Sequence, residues 1–399
     1  MCMLPNSNGL RYVLGSPVGF FAQPLPPFAP PVCDLLANLS AQLVADHETR
    51  TMPDVVAFAW WCRKANMQRL AAGYEDGQLR LGRGLALHIT PTNTPINFAF
   101  SWAFSLLAGN ANIVRLPNRD FLQVEFVLRH LRLLLANELC TRNAFIRYGH
   151  DEEITSALSA LADVRLIWGG DSTIQAVRKS ALPPRGLDLA FADRYSLCVL
   201  SPDAVLALDA ASVKQLAMHF FNDTYLMDQN ACSSPRLVIW LGSASETADA
   251  QARFWTVLQA ELDRRYQLTA SSAVDKFTQA CRDAIELNGN VTAFQRADPR
   301  LYRIPLNHLF TGIEERRCGH GYFYEFTTSS LDQLAPIVNS KYQTLTYFGV
   351  VKEELAAFVA NNRLSGIDRI VPIGKALDIG LTWDGFDLIR TLSRVCEVT

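Results

Sequence analysis

The sequence has no excess of charge: 37 Lys and Arg stand against 39 Asp and Glu, a net charge of −2. A chain so balanced lacks the electrostatic footprint of a nucleic-acid binder, and no nucleic acid is expected as a partner. It also has no CxxC pair. Its nine cysteines are scattered, no two closer than about thirty positions, which excludes a zinc ribbon or a thioredoxin-type motif. An odd cysteine count in a chain of 399 residues suits a reduced cytosolic protein better than a disulfide scaffold. No apolar run is long enough to span a bilayer. The longest, Ile96 to Gly109, carries Asn97, Ser101 and Ser105 and reads as a buried core helix. The first residues lack a basic stretch followed by a continuous apolar one, so no signal peptide is expected, and a cytoplasmic location is. Low-complexity tracts and solenoid-type repeats are absent as well.

What is present is a 49% hydrophobic composition, enough for two domains with sizeable cores. Residues 1–35 hold Pro24, Pro26, Pro27, Pro30 and Pro31 and read as an irregular arm, its Phe20, Phe21 and Phe28 packed down, on a partner subunit if not on the chain itself. From residue 84 short apolar runs alternate with helical stretches. Strands are expected at 84–89, 112–116, 144–148 and 164–168, and helices at 97–108, 119–139, 152–161 and 172–180. A second alternating block has strands at 196–200 and 236–241 and helices near 210–222 and 247–268. Such alternation implies βαβ units and parallel sheets, with ligands at the carboxyl ends of the strands. The expected domains are the arm 1–35, a dinucleotide-binding domain 36–200, a catalytic domain 201–370, and a segment 371–399 returning to the dinucleotide-binding side.

Three loops stand out. Thr90-Pro91-Thr92-Asn93-Thr94-Pro95 follows a strand; its prolines fix the backbone, and Asn93 reads either as an amide aimed into a strand-end crevice or, with Thr94, as a helix cap. Cys232, in Met227-Asp228-Gln229-Asn230-Ala231-Cys232-Ser233-Ser234-Pro235, sits among small and polar residues, where a thiol is better placed for nucleophilic work than Cys62 or Cys198 in their apolar runs. Gly169 and Gly170 end a strand ahead of a helix, a turn that can accept a phosphate or simply turn. His219 lies upstream of Cys232 on an amphipathic helix, either a base for the thiol or an ordinary half-buried histidine. Cys318-Gly319-His320 gives two potential ligands without a cluster and reads as loop, so no metal is expected. The basic residues from Arg129 to Arg147 are interleaved with leucine and read as a solvated helix face.

Together these segments resemble the aldehyde dehydrogenase superfamily, and more closely its LuxC-type fatty acyl-CoA reductase branch from bacterial luciferase operons. The resemblance runs from about residue 80 onward, through HITPTNTPINFAFSWAFSLLAGNANIVRLP (88–117), VRLIWGGDSTIQAVR (164–178), MDQNACSSPRLVIW (227–240), YQTLTYFGV (342–350) and GIDRIVPIGKALDIGLTWDGFDLIRTLSRVCEV (366–398). It implies an α/β, aldehyde dehydrogenase-like fold of two doubly wound domains with the active site in the crevice between them. It also implies that Cys232 is the nucleophile, and that Asn93, with the Cys232 backbone N–H, forms the oxyanion hole. Arg115 matches a basic residue at the adenosine ribose or its 2′-phosphate. Thr90, Gly169, Gly170 and Glu325 are the remaining cofactor contacts implied.

Oxidising members of the superfamily carry a glutamate, in a Glu-Leu-Gly-Gly segment, that activates water against the thioacyl-enzyme. The corresponding stretch here, Leu189 to Ser196, has none, and Phe191 falls near its position. Hydrolysis without a positioned base loses about 10²–10⁴-fold in rate, which favours thioester reduction. The implied reaction is NADPH-dependent reduction of a fatty acyl thioester to the aldehyde through a thioacyl-cysteine. The alternatives are a short-chain CoA-acylating aldehyde dehydrogenase, an acyl-phosphate reductase, or a non-catalytic acyl-binding scaffold. The implied partners are acyl-CoA or an acylated carrier or synthetase protein, and a second copy of the chain in a homo-oligomer.

Overall fold

Short strands made almost wholly of apolar residues can only be buried on both faces, and that is how the first sheet is built. In the computed structural model, which describes residues 4–398 except 6, 93, 136, 288 and 292–294, the chain divides into two units. Unit one is residues 1–192 with 379–399, and unit two is residues 193–378. The first change of unit precedes the expected boundary near 200 because Tyr195–Leu200 lies inside the second sheet. The second follows residue 371, because the Arg369–Pro372 strand also belongs there.

Unit one contains β1 (Arg11–Leu14), α1 (Pro30–Ala45), α2 (Pro53–Trp61), α3 (Lys64–Ala72), β2 (Leu79–Gly82), β3 (Leu85–Ile89), α4 (Asn97–Leu107), β4 (Ala111–Arg115), α5 (Leu122–Leu134), β5 (Asn143–Arg147), α6 (Glu152–Ser159), β6 (Val164–Trp168), α7 (Asp171–Arg178) and β7 (Leu187–Phe191). Its main sheet has the order β1-β5-β4-β3-β6-β7, parallel except for β1. Every residue of β3, β5 and β6 is buried. The arm docks on the chain itself: β1 pairs with β5, and Phe20 is 1% exposed. Pro30 and Pro31 belong to the first turn of α1, where a missing N–H costs nothing. Gly109 is held at φ +92° against the Leu25 carbonyl, a close approach that no side chain could allow. The strand Ser393–Cys396 returns to pair with β2.

Unit two contains β8 (Tyr195–Leu200), α8 (Pro202–Leu206), α9 (Ala210–Thr224), β9 (Pro235–Leu241), α10 (Ala244–Arg265), α11 (Ala270–Glu286), β10 (Gln295–Asp298), β11 (Leu301–Pro305), β12 (Tyr322–Thr328), β13 (Tyr342–Phe348), α12 (Lys352–Asn361) and β14 (Arg369–Pro372). The sheet order is β10-β11-β12-β9-β8-β13-β14, parallel apart from β10. Separate apolar clusters line its two faces, one around Leu197, Ile239 and Leu345, the other around Val238, Phe254 and Trp240.

Candidate active site

In unit one the sheet reverses its winding between β3 and β6, with β4 and β5 on one side and β7 on the other. Open α/β sheets take ligands outside the carboxyl ends of the strands at such a reversal. Thr90 directly follows β3, and Gly169 and Gly170 directly follow β6, so both loops flank that point. The Thr90 hydroxyl is buried and donates to the Arg115 carbonyl at 2.5 Å, tying the ends of β3 and β4 together. Arg115 lies over the Tyr148 ring at 4.5 Å, and its Nη2 donates to the carbonyls of Tyr148 (3.3 Å) and Gly149 (2.9 Å). These bonds hold the guanidinium at the strand edge through one of its nitrogens. Gly169 donates its N–H to the Phe191 carbonyl and packs against Thr173. Gly170 is the N-cap of α7, and a Cβ there would meet nothing within 4 Å, so the turn has room for a ligand backbone. Asp171 in the first helical turn adds a negative charge beside that room.

Asn93 lies outside the described residues. The N-cap of α4 is Ile96, which offers no side-chain cap bond.

Phe191 ends β7, stacked on Trp168 with ring centroids 3.8 Å apart and an interplanar angle of 14°, and Phe386 meets its edge at 6.1 Å. Beneath the stack, Trp168 donates its indole N–H to Ser101 Oγ (2.8 Å), which also bonds His88 Nδ1 (2.7 Å). His88 Nε2 lies 3.1 Å from Asn112 Oδ1, and Asn143 Oδ1 accepts from both Asn112 and Trp102. Burial pushes the His88 imidazole down to about 4, so it is neutral at neutral pH. The network fixes the tilt of Trp168, and therefore the position of Phe191.

In unit two Cys232 lies in the turn just ahead of β9. That is the amino edge of the parallel sheet, unlike the carboxyl-edge loops of unit one. Cys232 thus leads into its strand, as its sequence position implies, while Thr90 and Gly169 follow theirs. The turn is braced on both sides. Ser196 Oγ donates to the Cys232 carbonyl at 2.6 Å, and Ser234 Oγ donates to the Asp223 carbonyl at 2.6 Å. Asp228 and Gln229 have positive φ, 51° and 60°, and so turn the buried Gln229 amide inward. Its Nε2 donates to the Pro235 and Tyr322 carbonyls, and its Oε1 accepts from the N–H groups of Gly321 and Tyr322. All four bonding positions of that amide are thus used. Arg236 closes the ring, donating to the Gln229 and Cys318 carbonyls at 2.6 Å each. Burial lowers the Arg236 pKa, while Tyr195 and Cys232 nearby act in the opposite direction.

Three of the other thiols are held up by burial. Burial pushes the Cys198 thiol up to about 12, the Cys318 thiol to about 11, and the Cys62 thiol well above its ordinary value. Cys232 is only partly buried.

His219 is half-buried on α9, its ring packed on Gly374. One turn on, Asp223 accepts the N–H groups of Gly374 (2.6 Å) and Ala376 (2.9 Å), and burial raises its carboxyl to about 7. Glu325 is 2% exposed. Its Oε1 accepts from the indoles of Trp240 (2.9 Å) and Trp255 (2.8 Å), and its Oε2 from Arg303 (2.6 Å). Three interior donors occupy both oxygens, so Glu325 is the charge centre of the Trp240–Trp255 layer. His320 faces Tyr266 and Asp228. Among the described residues no group of three or more His, Cys, Asp or Glu could hold a metal, and no helix is long and apolar enough to cross a membrane.

Sequence reasoning missed Gln229, Ser196 and Asp223, whose work is done by backbone contacts that leave no motif. It also missed Glu314, 5% exposed, which accepts from Asn339 at 2.6 Å and keeps its second oxygen buried without a bond. The hydroxyls of Tyr195 and Tyr342, at the amino ends of β8 and β13, are likewise buried without a bond.

This geometry, two Rossmann-like parallel sheets with a braced cysteine turn at the amino edge of the second, belongs to an aldehyde dehydrogenase-like fold. Similar structures are the NAD-dependent benzaldehyde dehydrogenase of Corynebacterium glutamicum (12% identity, TM-score 0.62, 92% of this chain and 84% of that one) and a mutant 1-pyrroline-5-carboxylate dehydrogenase from Thermus thermophilus (11%, 0.61, 92% and 80%). A mutant proline utilization A from Bradyrhizobium japonicum is similar as well (12%, 0.62), with 93% of this chain matching 42% of that one. The acyl-CoA reductase (LuxC) family matches residues 63–288, and the chain belongs to that family. No curated protein matches the sequence.

Proposed function

We propose that the protein reduces a fatty acyl thioester to the fatty aldehyde with NADPH, through a thioacyl group on Cys232. The observation that carries this reading is the Cys232 turn. By the resemblance it matches the family's nucleophile position, and it is partly buried, braced by Ser196, and in electrostatic contact with the buried Arg236 guanidinium. The thiolate attacks the acyl carbonyl, and the C–S bond to coenzyme A, or to an acylated carrier or synthetase protein, breaks. Asn93 and the Cys232 N–H stabilise the oxyanion, each such donor contributing about 3–4 kcal/mol. By the resemblance, Phe191 falls near the position of the hydrolytic base, so no positioned base activates a water.

The residues at the unit-one reversal fit a dinucleotide: the Gly170 turn has room for it, and Arg115 sits at the strand edge with a cation for a 2′-phosphate. When bound, the nicotinamide supplies the hydride that reduces the thioacyl carbonyl. Collapse of the hemithioacetal on Cys232 then releases aldehyde and restores the thiolate. Asn93 holds the oxygen in both tetrahedral species. His219 is the proposed proton acceptor from the resting thiol. The setting is the cytoplasm and the protein a homo-oligomer.

The test is incubation with a long-chain acyl-CoA and NADPH, following absorbance loss at the nicotinamide band and aldehyde formation. Turnover that is lost in Cys232→Ala supports the reading. Turnover only with short acyl donors or acyl phosphates would move the protein to another reductase branch.

A further inference from the structure

Asp223, in the last turn of α9, is 1% exposed and holds two distant segments at once. Its main-chain carbonyl accepts from Ser234 Oγ (2.6 Å), two residues beyond Cys232. Its carboxylate accepts the N–H groups of Gly374 (2.6 Å) and Ala376 (2.9 Å), in the last loop of unit two before the chain enters unit one at residue 379. That loop is itself fixed. Arg369, on β14, donates to the carbonyls of Ala376 (2.7 Å), Lys375 (2.8 Å) and Asp378 (2.7 Å). Gly374 has φ +95° and lies so close to His219 that a Cβ there would stand 2.8 Å from the histidine's Cβ and Cγ. An interior carboxylate is costly, and burial raises this one to about 7. A helix end needs no such group. What the carboxylate does here is join the loop against His219 to the turn that leads into β9.

We propose that Asp223 is a positioning residue for the nucleophile: through Ser234 on one side and Gly374 and Ala376 on the other, it sets the Cys232 turn and the loop against His219 as one rigid body. The proposal rests on the reading of Cys232 as the acyl carrier. Its consequence is that a change at Gly374, some 140 residues from the turn in sequence, reaches Cys232 through Asp223.

The test is a set of variants of the full chain, with labelled peptides counted by mass spectrometry over time. Asp223→Asn keeps the size of the side chain but offers one acceptor oxygen to two N–H groups, and Ser234→Ala removes the hydroxyl on the other side. Each should slow acylation of Cys232 by a long-chain acyl-CoA about tenfold, because the thiol loses its set geometry. Each should speed alkylation of Cys232 by iodoacetamide about fivefold, because a loosened turn exposes a partly buried thiol. The double variant should match the single ones, since both cut the same connection. Gly374→Ala should reproduce the pattern alone and add nothing to Asp223→Asn. Cys198, buried in β8, should stay unlabelled in every variant. Acylation at the parent rate in Asp223→Asn, or independent effects that multiply in the double variant, would overturn the proposal. So would labelling of Cys198 in step with Cys232, which would mean a general loosening of unit two. Alkylation needs neither acyl donor nor cofactor, so the two readings fail separately: a parent protein that takes no acyl group on Cys232 overturns the reaction, and alkylation effects that multiply overturn the connection.

Discussion

Phe191 lies flat on Trp168, ring centroids 3.8 Å apart with 14° between the planes. Oxidising relatives, by the resemblance, carry a water-activating glutamate near the position of Phe191. The indole below it is held by Ser101 and His88, so the aromatic surface is built from the interior of unit one and is not an accident of a loop.

Replacing that ring with a carboxylate should change the fate of the acyl group. Phe191→Glu is expected to raise release of free fatty acid from the acyl-enzyme by on the order of 10²-fold, at the expense of aldehyde. Single-turnover product analysis measures the partition. Acid release equal to that of the parent protein would mean that the ring has no bearing on hydrolysis.

Glu325 should behave as an interior charge. Glu325→Gln leaves Arg303 without its anion and should cost about 3–5 kcal/mol of stability in unit two. Denaturation followed by tryptophan fluorescence reports it, because Trp240 and Trp255 share the carboxylate. A normal unfolding midpoint joined to weakened cofactor binding would reinstate the ribose role.

His88 should make unit one acid-sensitive. Its folded pKa, about 4, lies below the ordinary 6.5, so the unfolded chain takes up the proton first as pH falls. Its contribution is fully present above pH 6.5 and is lost as pH drops toward 4, on the order of 3 kcal/mol in all. Asp223 acts with the opposite sign: its folded value of about 7 lies above 3.8, and its contribution is lost as pH rises from 4 to 7. Comparing His88→Gln and Asp223→Asn with the parent, melting temperature against pH separates the two. The His88 variant should lose less stability than the parent between pH 6.5 and 4, and the Asp223 variant should lose less between pH 4 and 7. Parallel curves for parent and variants would contradict the assignment.

Arg115 should discriminate between cofactors. A 2′-phosphate gains charge-assisted hydrogen bonds worth about 1.5–3 kcal/mol each from a guanidinium. Arg115→Ala should weaken NADPH binding more than NADH binding, measured by fluorescence titration. Equal losses would confine Arg115 to its bonds with Tyr148 and Gly149.

The four central strands of the first sheet, β3 to β6, were legible because each is a short apolar run closed by glycine, proline or a polar turn; β1 was read as part of an irregular arm, and β7 was not singled out. The helices between residues 30 and 72 were not. Pro30 and Pro31 read as part of an irregular arm but occupy the first turn of α1, and Pro53 likewise opens α2, where the backbone tolerates it. The α11 helix was hidden for a different reason: its polar face is the buried one, so hydrophobic periodicity points away from the sheet. The loops carrying Thr90, Gly169 and Cys232 could be placed from their flanking strands. What braces the Cys232 turn could not be, because Gln229, Ser196 and Asp223 act through carbonyls and N–H groups distant in sequence.

Everything proposed for the reaction depends on Cys232 carrying the acyl group. Exposing the protein to a long-chain acyl-CoA without NADPH, then digesting and mapping the added mass by mass spectrometry, tests it directly. One acyl group is expected, on the peptide containing Cys232, lost in Cys232→Ala and discharged as aldehyde when NADPH is added. Label on another cysteine, or full reductase activity in Cys232→Ala, would contradict it.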